Sequence, residues 1–102
     1  MKNLLKNKLK LPDIDEYDFP YKFYRCHWSD ICSSSNWESL NHLKKSIPAV
    51  CITMGWLIST TKQNYVFISD INFNDDGTIH EGGNSTVIPK SNILKLKEIK
   101  NI

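Results

Sequence analysis

The reactive side chains in this sequence are few, and the first pair to consider is Cys26 beside His27. A thiol and an imidazole can act as nucleophile and general base when they lie within hydrogen-bond reach. Adjacent residues of a β-strand point to opposite faces, so these two cannot pair with each other in a strand. A catalytic thiol would then have to recruit His42 or His80 through the fold. We therefore expect no catalytic residue and no enzymatic activity.

Metal and phosphate-loop motifs are also poorly represented. Structural zinc sites use ligands in short pairs, whereas Cys26 and Cys32 are six positions apart and the histidines are scattered. The Asp-Asp-Gly run at 75–77 has the composition of a turn, and calcium would need more oxygen ligands at alternating positions. The glycine pair at 82–83 lacks the Lys-Ser/Thr and the helix of a phosphate loop. The sequence therefore predicts no metal and no other cofactor.

Binding chemistry is better represented, beginning with Phe23, Arg25 and His27. These residues alternate along a candidate strand and therefore share one face. An aromatic ring, a guanidinium and an imidazole together suit a planar ligand that carries phosphate. The alternative is an ordinary solvated outer face, and the sequence leaves both open.

Three tryptophans offer further aromatic surface. We assign Trp28 to the core, together with Tyr24 and Phe67. Trp37 either packs a helix onto the sheet or presents a flat ring to a ligand. Trp56 either belongs to the core or likewise presents its ring to a ligand. Stacking would contribute about 1–3 kcal/mol per base.

A polar turn at residues 90–92 supplies the last candidates, because lysine, serine and asparagine all carry hydrogen-bond donors. Its donors could contact phosphates, although an ordinary 3₁₀ turn would have the same composition. The predicted ligand-binding residues are Phe23, Arg25, His27, Trp37, Trp56, Lys90, Ser91 and Asn92.

The elements that must position these residues are predicted to be mainly β. Alternating apolar residues and turn signals predict five strands, at residues 21–31, 50–60, 65–71, 85–88 and 93–99. Gly55 suggests a bend or bulge in the second strand, and residues 72–84 are predicted to form a loop. A short helix is predicted at 37–46, after an N-cap at Asn36, and Pro48 ends it.

Length and composition predict one domain, residues 21–102, preceded by a mobile N-terminal arm and linker at 1–20. The leucines and lysines of that arm form either a short amphipathic helix or a solvated tail. A net charge of +2 does not force a nucleic-acid partner. Three cysteines without paired spacing favour a reducing compartment. No apolar run approaches the roughly 20 residues that cross a bilayer, and we find no signal peptide, so we expect a cytoplasmic protein without a membrane partner.

Two stretches carry a resemblance to small five-stranded β-barrels. Residues 87–94, Val-Ile-Pro-Lys-Ser-Asn-Ile-Leu, resemble the SH3 stretch Ile-Pro-Ser-Asn-Tyr-Val, in which one 3₁₀ turn divides the last two strands. They are also similar to the second Sm motif, with Pro89 and Lys90 in place of its RNA-contacting Arg-Gly. The run Gly-Trp-Leu-Ile-Ser at 55–59 is the second carrier. The resemblance implies an SH3-like or Sm-like barrel of phage or bacterial type.

Together these features predict a non-enzymatic protein that binds a nucleotide-type ligand, for example a phage-type protein that sequesters nucleotide immune signals. One alternative is an Sm-like RNA-binding protein. Another is an interaction module that inhibits a host protein through β-edge pairing. We also expect a homo-oligomer, because small barrels leave edge strands and a small core gains from further burial.

Overall fold

A computed structural model describes residues 9, 11–15 and 19–100 of the chain. That part forms one antiparallel sheet of five strands, with one short helix and one 3₁₀ turn. The strands are β1 (Lys22–Asp30), β2 (Ala49–Thr60), β3 (Asn64–Phe73), β4 (Ile79–Pro89) and β5 (Ile93–Glu98). Helix α1 covers Leu40–Leu43, and the 3₁₀ turn covers Lys90–Asn92. The mainly β fold class is therefore confirmed.

The predicted N-terminal arm and linker, residues 1–20, lie largely outside the described residues. Positions 1–8, 10 and 16–18 are not described, and neither are 101 and 102. In the described portion of the linker, the Asp15 backbone N–H donates to Asp13 Oδ1 at 2.9 Å, which forms a local turn.

The sheet is not closed into a barrel, in contrast to the prediction. Its strand order is β4-β3-β2-β1-β5, so β4 and β5 are its two edges in the described part of the chain. The 3₁₀ turn between them sends the chain across to β1 instead of back along β4. Pro89 and Ile93, on either side of the turn, both keep an extended backbone. The turn therefore redirects the chain without forming a hairpin.

The core lies on the inner face of the sheet, which we define as the side that carries Tyr24, Cys26 and Trp28. Cys26, Phe67 and Ile88 are fully buried there. The partly buried apolar side chains packed against them are Tyr24, Trp28, Leu57, Tyr65, Ile93 and Leu96. The assignment of Tyr24, Trp28 and Phe67 to the core is confirmed. The alternation of β1 thus places Phe23, Arg25, His27 and Ser29 on the opposite, outer face.

Gly55 allows the backbones of β2 and β3 to approach closely. A Cβ atom at this position would lie 2.5 Å from the carbonyl oxygen of Ile68, which is too short for any real contact. The ladder between β2 and β3 shifts register further along, between Leu57 and Ser59. The predicted irregularity of β2 is therefore present, but the bulge itself lies beyond Gly55.

Strand β4 begins at Ile79, well before its predicted start at Ser85, so the predicted loop over 72–84 shrinks to residues 74–78. Paired polar side chains extend the hairpin: Asn72 Nδ2 donates to Glu81 Oε1 at 3.2 Å, and the Glu81 N–H donates to Asn72 Oδ1 at 2.7 Å. The tight turn needs Gly77, whose φ is 88°.

Helix α1 is much shorter than the predicted helix at 37–46. Its N-cap is Ser39, whose Oγ accepts from the His42 N–H at 3.2 Å, not Asn36 as predicted. Glu38 and His42 approach to 3.3 Å one turn apart. Every residue from 31 to 50 is exposed, so no side of this helix is buried. A helix without tertiary packing is marginal in water, which explains its single turn.

Candidate functional site

The candidate site lies on the outer face of the sheet, along β1. This strand lies between β2 and β5, so each outward residue of β1 has a neighbour on one or both sides. The directly opposed pairs are Phe23 with Trp56, Arg25 with Met54 and Lys97, and His27 with Ile52 and Lys95. Side chains opposed in this way have Cβ atoms about 4.5–5.5 Å apart. The face therefore carries an aromatic pair at one end and four basic groups beyond it.

The aromatic end is built by Phe23 and Trp56. Their ring centroids lie 5.1 Å apart at an interplanar angle of 77°, an edge-to-face contact. Trp56 is half-buried on the outer face and does not belong to the inner-face core, so that alternative for Trp56 is wrong. Phe23 and Trp56 were predicted separately, and the ladder between β1 and β2 brings them together.

A cleft of about 350 Å³ opens beside this aromatic pair. Phe19 of the linker and Tyr21, just after it, line the cleft, and their ring centroids lie 6.2 Å apart in a second edge-to-face contact. The cleft is also lined by two lysines, Lys22 and Lys100, and by two acids, Asp15 and Glu98. The aromatic walls suit a planar molecule, whereas the charges of the lining balance.

The basic end consists of Arg25, His27, Lys95 and Lys97, which we call the basic cluster. Within the described residues, none of the four forms an ion pair, since the ion pairs there join other histidines to Glu38 and Glu81. Arg25 Nε and His27 Nδ1 are buried atoms without a hydrogen-bond partner in the same part of the chain. Buried polar atoms are normally satisfied, and these two are not. The unpaired positive charges of Arg25, Lys95 and Lys97 suit the cluster to an external anion such as phosphate.

Lys95 and Lys97 were not among the predicted site residues. Their spacing along β5 places them on one face, and that signal was present in the sequence. Their position beside β1, however, depends on a pairing between residues about 70 apart in sequence.

The residues of the 3₁₀ turn lie elsewhere and brace the fold. Asn92 Nδ2 donates to the Ser29 carbonyl at 2.8 Å, at the far end of β1 from Phe23. The Lys90 N–H donates to the Gln63 carbonyl at 2.7 Å, and its Nζ lies 4.9 Å from the centre of the Tyr65 ring. Ser29 lies about 20 Å along the strand from Phe23. The turn is therefore not part of the aromatic site.

Trp37 is also separate from the site. It lies in the segment between β1 and β2, and its exposed fraction is 101%. The alternative in which it packs a helix onto the sheet is wrong, because its side chain is fully exposed in the described part of the chain. Ser91 Oγ, the last predicted donor, donates to Asn92 Oδ1 at 3.1 Å within its own turn.

The three thiols occupy different environments. Cys26 is fully buried, and this burial raises the pKa of its thiol above the usual 9.0. His27 points to the other face, as expected for adjacent strand residues. Cys32 is exposed and its Sγ accepts from the Ala49 N–H at 3.1 Å, while Cys51 is half-buried. Among the described residues, no group of three His, Cys, Asp or Glu side chains is placed to hold a metal ion.

The chain matches no protein-family model, no curated protein and no solved structure. In the described ranges, no helix has the length and apolarity required to span a membrane.

Proposed function

We propose that this protein is a non-enzymatic binding protein that holds a nucleotide-type ligand on the outer face of its sheet. The planar base would lie against Phe23 and Trp56, and the phosphates would contact Arg25 and Lys97 first. The observation that best supports this proposal is that the aromatic pair and the basic cluster lie on the same face of the sheet. The cluster has no acidic partner among the described residues. In this role the protein would sequester its ligand, as a phage-type protein that removes nucleotide immune signals would do in the cytoplasm.

The fold supports the proposal at a coarser level. Five antiparallel strands in the order β4-β3-β2-β1-β5, with one 3₁₀ turn before the last strand, agree with the proposed SH3-like or Sm-like type. Sm-like RNA binding is the second form of the same proposal. A single strand would use the same aromatic and basic groups, because stacking and phosphate contacts do not require a particular sequence.

A protein-interaction module is the alternative from a different class. The observation that favours it is the pair of sheet edges on β4 and β5, which have no further strand beside them in the described part of the chain. An extended segment of a host protein could add to either edge.

The test is titration of the full chain with AMP, ATP, a cyclic dinucleotide and a short single-stranded RNA, followed by tryptophan fluorescence and calorimetry. We expect at least one of these ligands to bind saturably. The bound ligand should be recovered from the protein without chemical conversion. The double substitution Arg25→Gln and Lys97→Gln should weaken binding by at least about 10-fold, because two charge-assisted contacts are lost. The matched control, Lys62→Gln in the β2–β3 turn, should leave affinity unchanged.

The salt dependence separates the two nucleotide forms of the proposal. RNA binding should weaken steeply as salt rises, because each phosphate contact releases counterions, whereas a single nucleotide should respond less. Binding that is indifferent to the Arg25 and Lys97 substitutions would overturn the proposed site. Conversion of the ligand would indicate an enzyme, and co-purification of one host protein without nucleotide binding would favour the interaction module.

A further inference from the structure

We infer that the segment between β1 and β2 packs on the outer face of β2 in a second copy of this chain, and that the two copies exchange this contact reciprocally. We call residues 31–48 the apolar arm, and the outward side chains of Val50, Ile52 and Met54 the β2 stripe. This inference concerns self-association and does not depend on the proposed ligand.

The apolar arm carries large side chains that its own chain leaves uncovered. The exposed fractions are 87% for Ile31, 101% for Trp37, 72% for Leu40 and 79% for Ile47. The arm still has local order, since Ser39 caps α1 and Cys32 accepts from the Ala49 N–H at its base. Ordering a segment costs conformational entropy, and within the described residues little apolar burial offsets that cost, since Leu43, at 42% exposed, is the one large apolar side chain of the arm that is more than half covered. An external apolar surface would supply the missing burial.

The β2 stripe is a second uncovered apolar surface, at the base of the arm. Val50, Ile52 and Met54 are consecutive outward positions of one strand, and they are 65%, 57% and 46% exposed. The ladder between β2 and β3 begins at Trp56, and Ser69 Oγ of β3 still donates to the Met54 carbonyl at 3.0 Å. Among the described residues, β2 therefore has a strand neighbour on one side alone at Val50 and Ile52. An apolar strip beside an open strand edge is a receptive surface for a segment such as the arm.

The partner is a second copy because both complementary surfaces belong to the same chain. The arm does not lie on its own stripe, since every residue from 31 to 50 is exposed. The arm begins after Asp30 and ends before Ala49, which pair with each other across the ladder, so it projects beyond the strand ends as a hairpin. Reciprocal exchange gives a closed two-fold dimer, in which each surface is used once.

The available area is sufficient for a stable dimer. Twelve large apolar residues are exposed in the described part of the chain, and eight of them lie between Ile31 and Met54. Their uncovered surface is on the order of 1,000 Å² per copy, so reciprocal burial approaches the roughly 1,200–2,000 Å² of a specific interface. Among the described residues four apolar side chains are buried, Cys26, Phe67, Ile68 and Ile88, and a small core gains most from additional burial.

The test measures the mass of the full chain by sedimentation velocity and light scattering. The arm variant carries Trp37→Ser and Leu40→Ser. The stripe variant carries Ile52→Thr and Met54→Thr, which places a β-branched residue at both strand positions and adds no charge beside Arg25. The control is Val87→Thr on β4, whose side chain is 59% exposed, comparable to Ile52.

We expect a dimer of the wild-type chain, and a dissociation constant raised by at least about 30-fold in the arm and stripe variants, as for loss of interface hot spots. The control should remain dimeric. A mixture of the arm and stripe variants should form a heterodimer, because the stripe of one and the arm of the other are intact. Circular dichroism confirms that each variant is folded.

A wild-type monomer at about 100 µM would overturn the inference, whatever other partner then covers the arm. Dimers that persist in both folded variants would overturn it as well. Failure of the mixture to form heterodimers would exclude the exchange of arm and stripe.

Discussion

Arg25 lies directly opposite Lys97 in the ladder between β1 and β5, and both cationic side chains leave the sheet on its outer face. Like charges in directly opposed positions destabilise an antiparallel pair. His27 lies opposite Lys95 at the next outward position of the same ladder. The sheet therefore carries a repulsion that a bound anion would relieve, which links ligand binding to stability.

Replacing Lys97 by Glu should make the protein more stable. The substitution converts a repulsive cross-strand pair into an attractive one, worth about 0.2–1 kcal/mol in the free energy of unfolding. Urea denaturation at low salt measures the gain, which should shrink in 1 M salt because exposed charges are screened. Lys62→Glu is the control, since Lys62 lies in a turn without an opposed cation. An equal gain from that control would argue against the pairwise cause.

The same Lys97→Glu variant should bind nucleotide more weakly than wild type, because it places a carboxylate within the basic cluster. Stability and binding would then change in opposite directions. A variant that gains stability and keeps its affinity would show that Lys97 does not contact the ligand.

Gly55→Ala should destabilise the fold by about 1–3 kcal/mol, because its Cβ would lie 2.5 Å from the Ile68 carbonyl oxygen and the backbone must move. Gly83→Ala is a matched control in the same sheet. Its Cβ would meet only the Asp70 Cβ, at an ordinary 3.7 Å. We expect a change below about 1 kcal/mol there. Thermal and urea denaturation of both variants measure the difference, and equal effects would refute the close-approach argument.

Thr53→Val should cost about 1–3 kcal/mol in unfolding free energy, because it removes the acceptor of a part-buried indole. Trp28 Nε1 donates to Thr53 Oγ1 at 3.0 Å between neighbouring strands. The exposed Thr60→Val is the control. In a Trp28→Phe background, which lacks the indole N–H, the cost of Thr53→Val should fall. Strict additivity of the two changes would mean that the hydrogen bond contributes nothing.

Cys26 should be the least reactive of the three thiols. It should also make the free energy of unfolding fall as the pH rises into the alkaline range. Burial raises its pKa, so the neutral thiol is favoured in the folded state. The resulting stabilisation is complete below the unfolded value of 9.0 and is lost as pH rises above it. At pH 8, a disulfide reagent should label Cys32 first and Cys26 only after unfolding.

Two variants test the alkaline part of this expectation. Unfolding free energy measured between pH 8 and 10 should decline less in Cys26→Ala than in wild type, whereas the exposed Cys32→Ala should decline as wild type does. Rapid labelling of Cys26 in the folded protein, or identical declines in all three proteins, would contradict it.

The sequence predicted the face assignments of β1 well, because alternation is a local property. It placed Tyr24 and Trp28 inward and Phe23 and Arg25 outward, as observed. It left the face of Trp56 open, because both sets of alternating residues on β2 are partly apolar and the pattern did not identify the buried set. The predicted site lacked Lys95 and Lys97 for a different reason. The register of β5 on β1 joins residues far apart in sequence, so a local pattern could not predict it.

The loop and helix predictions failed because tertiary contacts determine the secondary structure of those segments. Glycines at 82–83 indicated a loop, yet Gly82 lies in β4 where a Cβ would come within 2.7 Å of Ile68 Cδ1. Asn84 adopts a positive φ and its amide donates to the Asp70 carboxylate, which holds this irregular part of the hairpin. The predicted helix at 37–46 had suitable capping residues but no surface to pack on, so only one turn forms.

The turn at 90–92 fixes how far apart the two margins of the sheet can be. Three residues can span only about 10 Å, so the end of β4 and the start of β5 must stay close although four strand junctions separate them across the ladder. Hydrogen bonds hold this turn in place: Asn92 Nδ2 donates to the Ser29 carbonyl, and the Lys90 N–H donates to the Gln63 carbonyl. Cutting the chain or inserting a flexible spacer here would let the end of β4 and the start of β5 move apart. The sheet would then flatten, and the packing of side chains on its inner face would weaken.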